Sequence, residues 1–289
     1  MTNQRQLHAY LMLLPALALL AAFTHYPVVA TLVDSFMSTP KPNRPSVFVG
    51  LGNYASMVDD PIFWQALRNN LWFALATIPL SVGLALAMAL WVNGKMLGRG
   101  FLRMAFFTPT VLPMIAVANI WLFFYTPTYG LLEQIGGLFG LQSHNWLGDK
   151  STALASITVV AVWKEAGFFM IFYLAALQGI SPSLREAAAI EGASRWYFFR
   201  RVLWPLLMPT TIFVLVNAVI NAFRMVDHVV VMTRGGPDNA TSLLLYHLYE
   251  VGFRYWDQGY AAAITVVLLA TLASVALVQF FMLDKRAHY

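Results

Sequence analysis

Apolar residues in this chain gather into long runs separated by shorter polar and charged stretches. About 20 apolar residues cross a hydrocarbon layer as helix, and six runs reach that length. They are roughly Ala9–Leu32, Leu71–Val92, Met104–Tyr125, Thr152–Leu177, Val202–Val231 and Tyr260–Leu283. Thr24-His25-Tyr26-Pro27 interrupts the first. The fifth exceeds one crossing, which predicts a tilt, a break or a start outside the hydrocarbon. Pro109 and Pro113 predict a kink in the third, serving as a hinge or merely as packing. The pattern predicts an all-α integral membrane protein with six transmembrane helices. Arg5 and the apolar core behind it resemble a secretion signal, but no small-x-small cleavage site follows, so the first run reads as a retained span.

Composition supports the bilayer as solvent. Of 289 residues, 59% are hydrophobic and 11% charged, where a soluble domain carries about 25% charged residues. Cysteine is absent, so disulfides and cysteine metal sites are excluded. The net charge of +5 is no nucleic-acid signal, because the basic residues cluster in short loops. Arg5, Lys95, Arg99, Arg103, Arg185, Arg195, Arg200, Arg201, Lys285 and Arg286 all fall on one side of the six spans. The positive-inside rule makes that side cytoplasmic, with both termini inside. Loops of roughly Met37–Asn70, Pro127–Lys150 and Met232–Gln258 are then external. Ser38–Gly52, rich in Pro and Gly, predicts an extended loop, and Gly130–Gly148 has room for a short helix. With no visible internal repeat, residues 1–289 read as a single membrane domain.

The segment Gly179–Pro209 is unlike an ordinary polar loop. Ser183 and Glu186 have capping-box spacing, and Ser181 with Pro182 offers a competing helix start. Gly192 suits the left-handed residue that closes a helix. Ser194 can cap a second helix through Trp196, Phe198 and Phe199, and Pro205 and Pro209 bend the path into the fifth span. Ala187, Ala188 and Ala189 would let this helix settle in a groove on another protein, with Glu186 supplying a charge. A helix resting on lipid is the competing reading.

At these residues the chain resembles a known family. Glu186-Ala187-Ala188, Gly192 and Pro205 are similar to the E-A-A…G…I-x-L-P loop of ABC importer permeases, with Val202 for the Ile and Trp204 for the Leu. Trp163-Lys164, Phe172–Gln178 and Thr233-x-Gly235-Gly236-Pro237 resemble the subgroup that imports sugars and glycerol phosphate. The resemblance implies a type I ABC importer permease of the bacterial inner membrane, with a cytoplasmic coupling loop at about 181–205. It implies four kinds of partner: a second homologous permease, an ATPase dimer, an extracytoplasmic solute-binding protein and the bilayer. It also implies a non-catalytic chain without cofactor, since the ATPase subunits bind ATP and Mg. No G-x-x-x-x-G-K-[ST] occurs in this sequence.

Ionisable residues inside spans mark pathways or partners. Asn217, Asn221, Arg224 and His228 share one helical stripe, and Asp227 is spaced to pair with Arg224. The stripe suits a polyhydroxy or anionic solute, or it glues the span to a neighbour. Lys164 and Glu165 lie near mid-span but point about 100° apart, so they are not expected to share a face. Trp163 suits sugar stacking, and Asn119 is a further pathway candidate. Gly235-Gly236-Pro237 either meets the binding protein or only stops a helix. A membrane enzyme lacks support, with no H-E-x-x-H in the sequence. A secondary transporter or channel remains the alternative.

Overall fold

A computed structural model describes residues 2–94, 96–140 and 143–284. Lys95, Lys285 and Arg286 lie outside the described residues, as does the side chain of Arg5. In chain order the α-helices are α1 (Thr2–Leu20), α2 (Tyr26–Asp34), α3 (Gly52–Asp59), α4 (Pro61–Val92), α5 (Arg99–Val111), α6 (Met114–Tyr125) and α7 (Leu131–Leu138). They continue as α8 (Ala153–Gly179), α9 (Pro182–Ile190), α10 (Arg195–Phe198), α11 (Trp204–Arg224), α12 (Asp227–Met232), α13 (Leu244–Tyr249) and α14 (Gln258–Asp284). Among the described residues the only β pairing is two isolated bridges, Met37 with Phe48 and Lys41 with Arg44. Among the described residues five helical stretches have the length and composition to cross a membrane, and the bent pair α5 and α6 makes up to a sixth if it counts as one span. The chain is an all-helical membrane-spanning protein.

Three expectations from the sequence are corrected, and a fourth is met. Thr24-His25-Tyr26-Pro27 does not break the first run. A π-helical turn, Ala21–His25, carries the helix across it. Pro27 has no N–H for the carbonyl four residues back, and the wider turn reroutes the ladder: Tyr26 N–H donates to the Ala21 carbonyl. The second span starts at Pro61, ten residues before Leu71. Its polar first turns are stabilised by a loop, since Asn69 Nδ2 donates to the carbonyls of Asn239 at 2.9 Å and Ser242 at 3.1 Å. The third run is not one kinked helix, because α5 and α6 meet at 104°. The residue before a proline is driven out of the helical region, and Leu112 before Pro113 is extended (φ −74°, ψ 136°). Pro109 stays inside α5. The fifth run, by contrast, breaks as its length allowed, at Met225 (φ −73°, ψ 113°), between α11 and α12.

Contacts divide the chain into two compact units. One comprises the chain up to Phe63 together with His247–Thr271; the other comprises Trp64–Tyr246 and the stretch from Leu272 on. Within the first, Asn53 Nδ2 donates to the Ser35 and Met37 carbonyls, and Tyr260 Oη donates to Asp60 at 2.7 Å. The core of the second is built on α8: Phe169, Met170, Tyr173 and Leu177 pack with Ala85, Ala89 and Val92 of α4 and Leu207, Val214 and Ala218 of α11. Hydrocarbon gives helices no hydrophobic reason to associate, so small residues that permit close approach carry the packing. Gly167 is the extreme case, for a Cβ there would sit 2.2 Å from the Phe106 carbonyl oxygen of α5.

Candidate functional site

Three places hold the residues singled out from sequence. The first is the loop between α8 and α11. Its helix starts on the Ser181–Pro182 register, with Ser181 as N-cap residue and Pro182 at the first position. The Ser183–Glu186 capping box does not form; the Ser181 and Ser183 hydroxyls are instead 2.8 Å apart. Proline has no N–H to orphan at the first turn, which favours this start. The helix closes on Gly192 at φ +71°. Ala193 N–H donates to the Ala188 carbonyl at 2.9 Å and Gly192 N–H to Ala189 at 3.2 Å. That double bond pattern is a Schellman closure, which needs a residue free to take positive φ. Ser194 Oγ then accepts from Tyr197 N–H at 3.2 Å and starts α10. Glu186 and Ala187 are exposed and Ala188 half-buried, while Ile190 is 88% and Trp196 68% exposed. Pro205 sits in the first turn of α11, behind a second π-helical turn, Phe199–Leu203. The chain thus presents a short helix, closed at both ends, with apolar side chains left largely exposed by the described residues.

The second place is a polar cavity of about 270 Å³ lined by Met114, Lys164, Glu165, Asn221, Arg224, Met225 and Asp227. Lys164 and Glu165 both line it, although their side chains diverge as expected of helix neighbours, Lys164 toward the α5–α6 bend and Glu165 toward α11. They flank the cavity from neighbouring positions on α8, and Glu165 Oε2 accepts from Asn221 Nδ2 at 2.7 Å. Lys164 Nζ donates to the carbonyls of Leu112 at 2.6 Å, Pro109 at 3.0 Å and Thr110 at 3.3 Å. The expected stripe survives only in part. Asn217 Nδ2 donates to its own helix, at the Phe213 carbonyl, and Asn217 does not line the cavity. The break at Met225 turns His228 away: it is fully buried and stacked on Phe73, ring centroids 5.5 Å apart. The same break removes helical i,i+3 geometry, and no Arg224–Asp227 ion pair forms among the described residues. Asn119 donates to the Ile115 carbonyl of its own helix. Trp163 packs edge-on against Trp121 at 5.7 Å, outside the cavity. The sequence reading missed Met114 and Met225. Pro113 was the available signal, because it ends α5 and swings Met114 into place.

The third place is the turn at Gly235-Gly236-Pro237, joined by a cis peptide bond before Pro237. Gly235 has φ +78°, and a Cβ there would meet the Tyr246 ring at 2.6 Å. Thr241 Oγ1 donates to the Gly236 carbonyl at 2.7 Å, and Gln65 Nε2 to the Asp238 carbonyl at 3.1 Å. The Lys150 ammonium beside Asp238 holds that carboxyl below its ordinary range. These glycines therefore have a local structural role, independent of any partner.

A family profile described as binding-protein-dependent transport system inner membrane component matches residues 81–289. The trehalose/maltose transport system permease protein of Thermococcus litoralis is 35% identical, covering 93% of this chain and 91% of its own. The sn-glycerol-3-phosphate transport system permease protein of Agrobacterium fabrum is 33% identical, covering 97% and 96%. The fold is shared with a chain in the crystal structure of a bacterial alginate ABC transporter bound to an alginate pentasaccharide-loaded periplasmic protein. That match has a TM-score of 0.88 at 20% identity, covering 98% of this chain and 96% of the other.

Proposed function

We propose that this chain, which belongs to the family of binding-protein-dependent transport system inner membrane components, is the permease subunit of an ATP-driven importer for a sugar or a sugar-like, glycerol-derived solute. The observation that carries this reading is the α9 loop. Glu186, Ala187 and Ala188 lie on a largely exposed helix with a Schellman closure at Gly192, and among the described residues only Ala188 of the three is half-buried. A helix locked at both ends and joined to two spans can pass on a rigid-body push, so it suits an ATPase cleft better than a lipid surface.

In this reading residues 1–289 work as one permease domain in a bacterial inner membrane, with both termini cytoplasmic. A separate ATPase dimer binds ATP and Mg and does the hydrolysis, so this chain is non-catalytic and carries no cofactor. A second homologous permease completes the pathway, and an extracytoplasmic binding protein delivers solute. The cavity at Lys164, Glu165, Asn221 and Arg224 is the solute path within this subunit. Gly235-Gly236-Pro237, on the outward side by loop charge, is offered to the binding protein.

Mild-detergent purification of the tagged chain from its native membrane, followed by mass spectrometry, tests the assembly. An ATPase and a second six-span permease are expected to come with it. The chain alone, or as a homo-oligomer, under conditions that preserve other membrane complexes, would overturn the importer in favour of a secondary transporter or channel.

A further inference from the structure

Four ionic side chains line the polar cavity, and their surroundings divide them into two kinds. In an uninterrupted helix the Pro109 carbonyl would accept from residue 113, which is proline and has no N–H. Thr110 and Leu112 lose their helical donors at the bend. Inside a membrane, freed backbone carbonyls have no water and must find partners within the protein. Lys164 meets all three with the three protons of one ammonium, at 2.6–3.3 Å. Gly167, one turn further along α8, lets the α5 backbone approach so closely that no Cβ would fit. Glu165 reaches the other way and holds Asn221 on α11 at 2.7 Å. Arg224 and Asp227 differ. They face the same cavity and engage no hydrogen bond or ion pair among the described residues.

We propose that Lys164 and Glu165 are positioning residues, fastening the broken α5–α6 span and α11 around the cavity, while Arg224 and Asp227 are the ionic groups left to meet the solute. This rests on the reading of the cavity as the solute path. It also narrows the solute class to neutral polyhydroxylated molecules. Hydroxyl oxygens accept from the Arg224 guanidinium while hydroxyl protons go to the Asp227 carboxylate. A net anion drawn to Arg224 meets the like charge of Asp227 across the same small cavity.

The test uses the assembled complex of this chain with its partner permease, ATPase and binding protein. The chain has no cysteine, so spin labels can be placed by Met104→Cys on α5 and Phe123→Cys on α6, at positions 59% and 53% exposed. Pulsed paramagnetic resonance reads the distance across the bend. Lys164→Met is expected to broaden and shift that distribution, and Lys164→Arg to restore it. Pro113→Ala returns the missing N–H and is expected to lessen the damage, so the double variant Pro113→Ala, Lys164→Met carries the measurement if the single variant does not assemble. In proteoliposomes with maltose as probe, Lys164→Met should lower the maximal rate with half-saturation within two-fold of the parent. Arg224→Gln and Asp227→Asn should each raise half-saturation at least ten-fold and leave the distance unchanged.

An unchanged distance with raised half-saturation in Lys164→Met makes Lys164 a solute ligand and overturns the positioning role. Unaltered half-saturation in both Arg224→Gln and Asp227→Asn overturns the solute-facing pair. A parent complex that hydrolyses ATP but imports only anionic probes overturns the neutral class. A parent that imports nothing counts against the importer reading itself, while the distance across the bend still decides the positioning role.

Discussion

His247 is 4% exposed, with its Nε2 3.3 Å from Asp60 Oδ2. The Tyr260 ring stands edge-on to the imidazole, and Glu250, itself paired with Arg254, is the remaining charge nearby. Burial pushes the imidazole below its ordinary value of 6.5 and outweighs the pull of Asp60 and Glu250 toward the charged form. The unfolded segment therefore takes up a proton first as pH falls. This contribution to stability is complete above about pH 6.5, the unfolded value, and is lost as pH drops through the folded one. Hydrogen exchange of the 244–254 segment, corrected for intrinsic rate, should show weaker protection at pH 5 than at pH 7. His247→Gln should flatten that difference, and a variant that kept it in full would rule out His247 as the source. At this scale sequence revealed which side chains are unusual but not what they touch. Lys164 and Glu165 stood out as ions within an apolar run, yet the acceptors of Lys164 lie 52 to 55 residues away. Only the bend that frees those carbonyls explains the choice.

Element by element, legibility followed the strength of the local signal. Gly192 and Ser194 carry chemistry that permits few alternatives, and the structure uses them as a Schellman residue at φ +71° and as an N-cap. The length of the fifth run allows for a break without locating it, since no proline or glycine marks Met225, and the stripe from Asn217 to His228 is drawn across the place where it falls. The start of α9 offered two caps, and local sterics at Pro182 selected the earlier one. For coupling, Glu186 and Gly192 separate charge from shape. Nothing lies within 4 Å of a Cβ placed on Gly192, so a side chain there costs backbone strain alone, roughly 1–2 kcal/mol for the left-handed conformation. That loosens the Schellman closure without disturbing the spans. Glu186→Lys leaves the backbone alone and reverses the exposed charge. Both Glu186→Lys and Gly192→Asp should leave the chain inserted at parental levels while abolishing solute-stimulated ATP hydrolysis in the assembled complex. Parental stimulation in both would detach α9 from coupling.

For the molecule as a whole, the apolar runs announced the membrane, and loop charge predicts the direction of insertion. Tyr10–Asp34 illustrates the first point, since it is long and apolar enough to cross a membrane and none of its most apolar stretch is buried by the described residues. Direction is a separate inference, drawn from Lys and Arg counts in short loops. Arg185, Arg195, Arg200 and Arg201 flank the α9–α10 loop, so Ile190, 88% exposed, is expected to face the cytoplasm. Leu138, 83% exposed at the end of α7, is expected to face outward. A chain without cysteine allows a direct test. Ile190→Cys should react with a membrane-impermeant maleimide only in inside-out vesicles, and Leu138→Cys only in right-side-out vesicles. Both positions are exposed ends of short helices outside the spans, so neither thiol should disturb insertion, and the two vesicle preparations control for each other. Reaction with the opposite preferences would place the α9 helix on the outer side, out of reach of any cytoplasmic ATPase, and the coupling role would fall with the orientation. Labelling at both positions from one side would instead mean that an even number of crossings separates the two loops, and α8, the one long helix between them, would have to be recounted as a span.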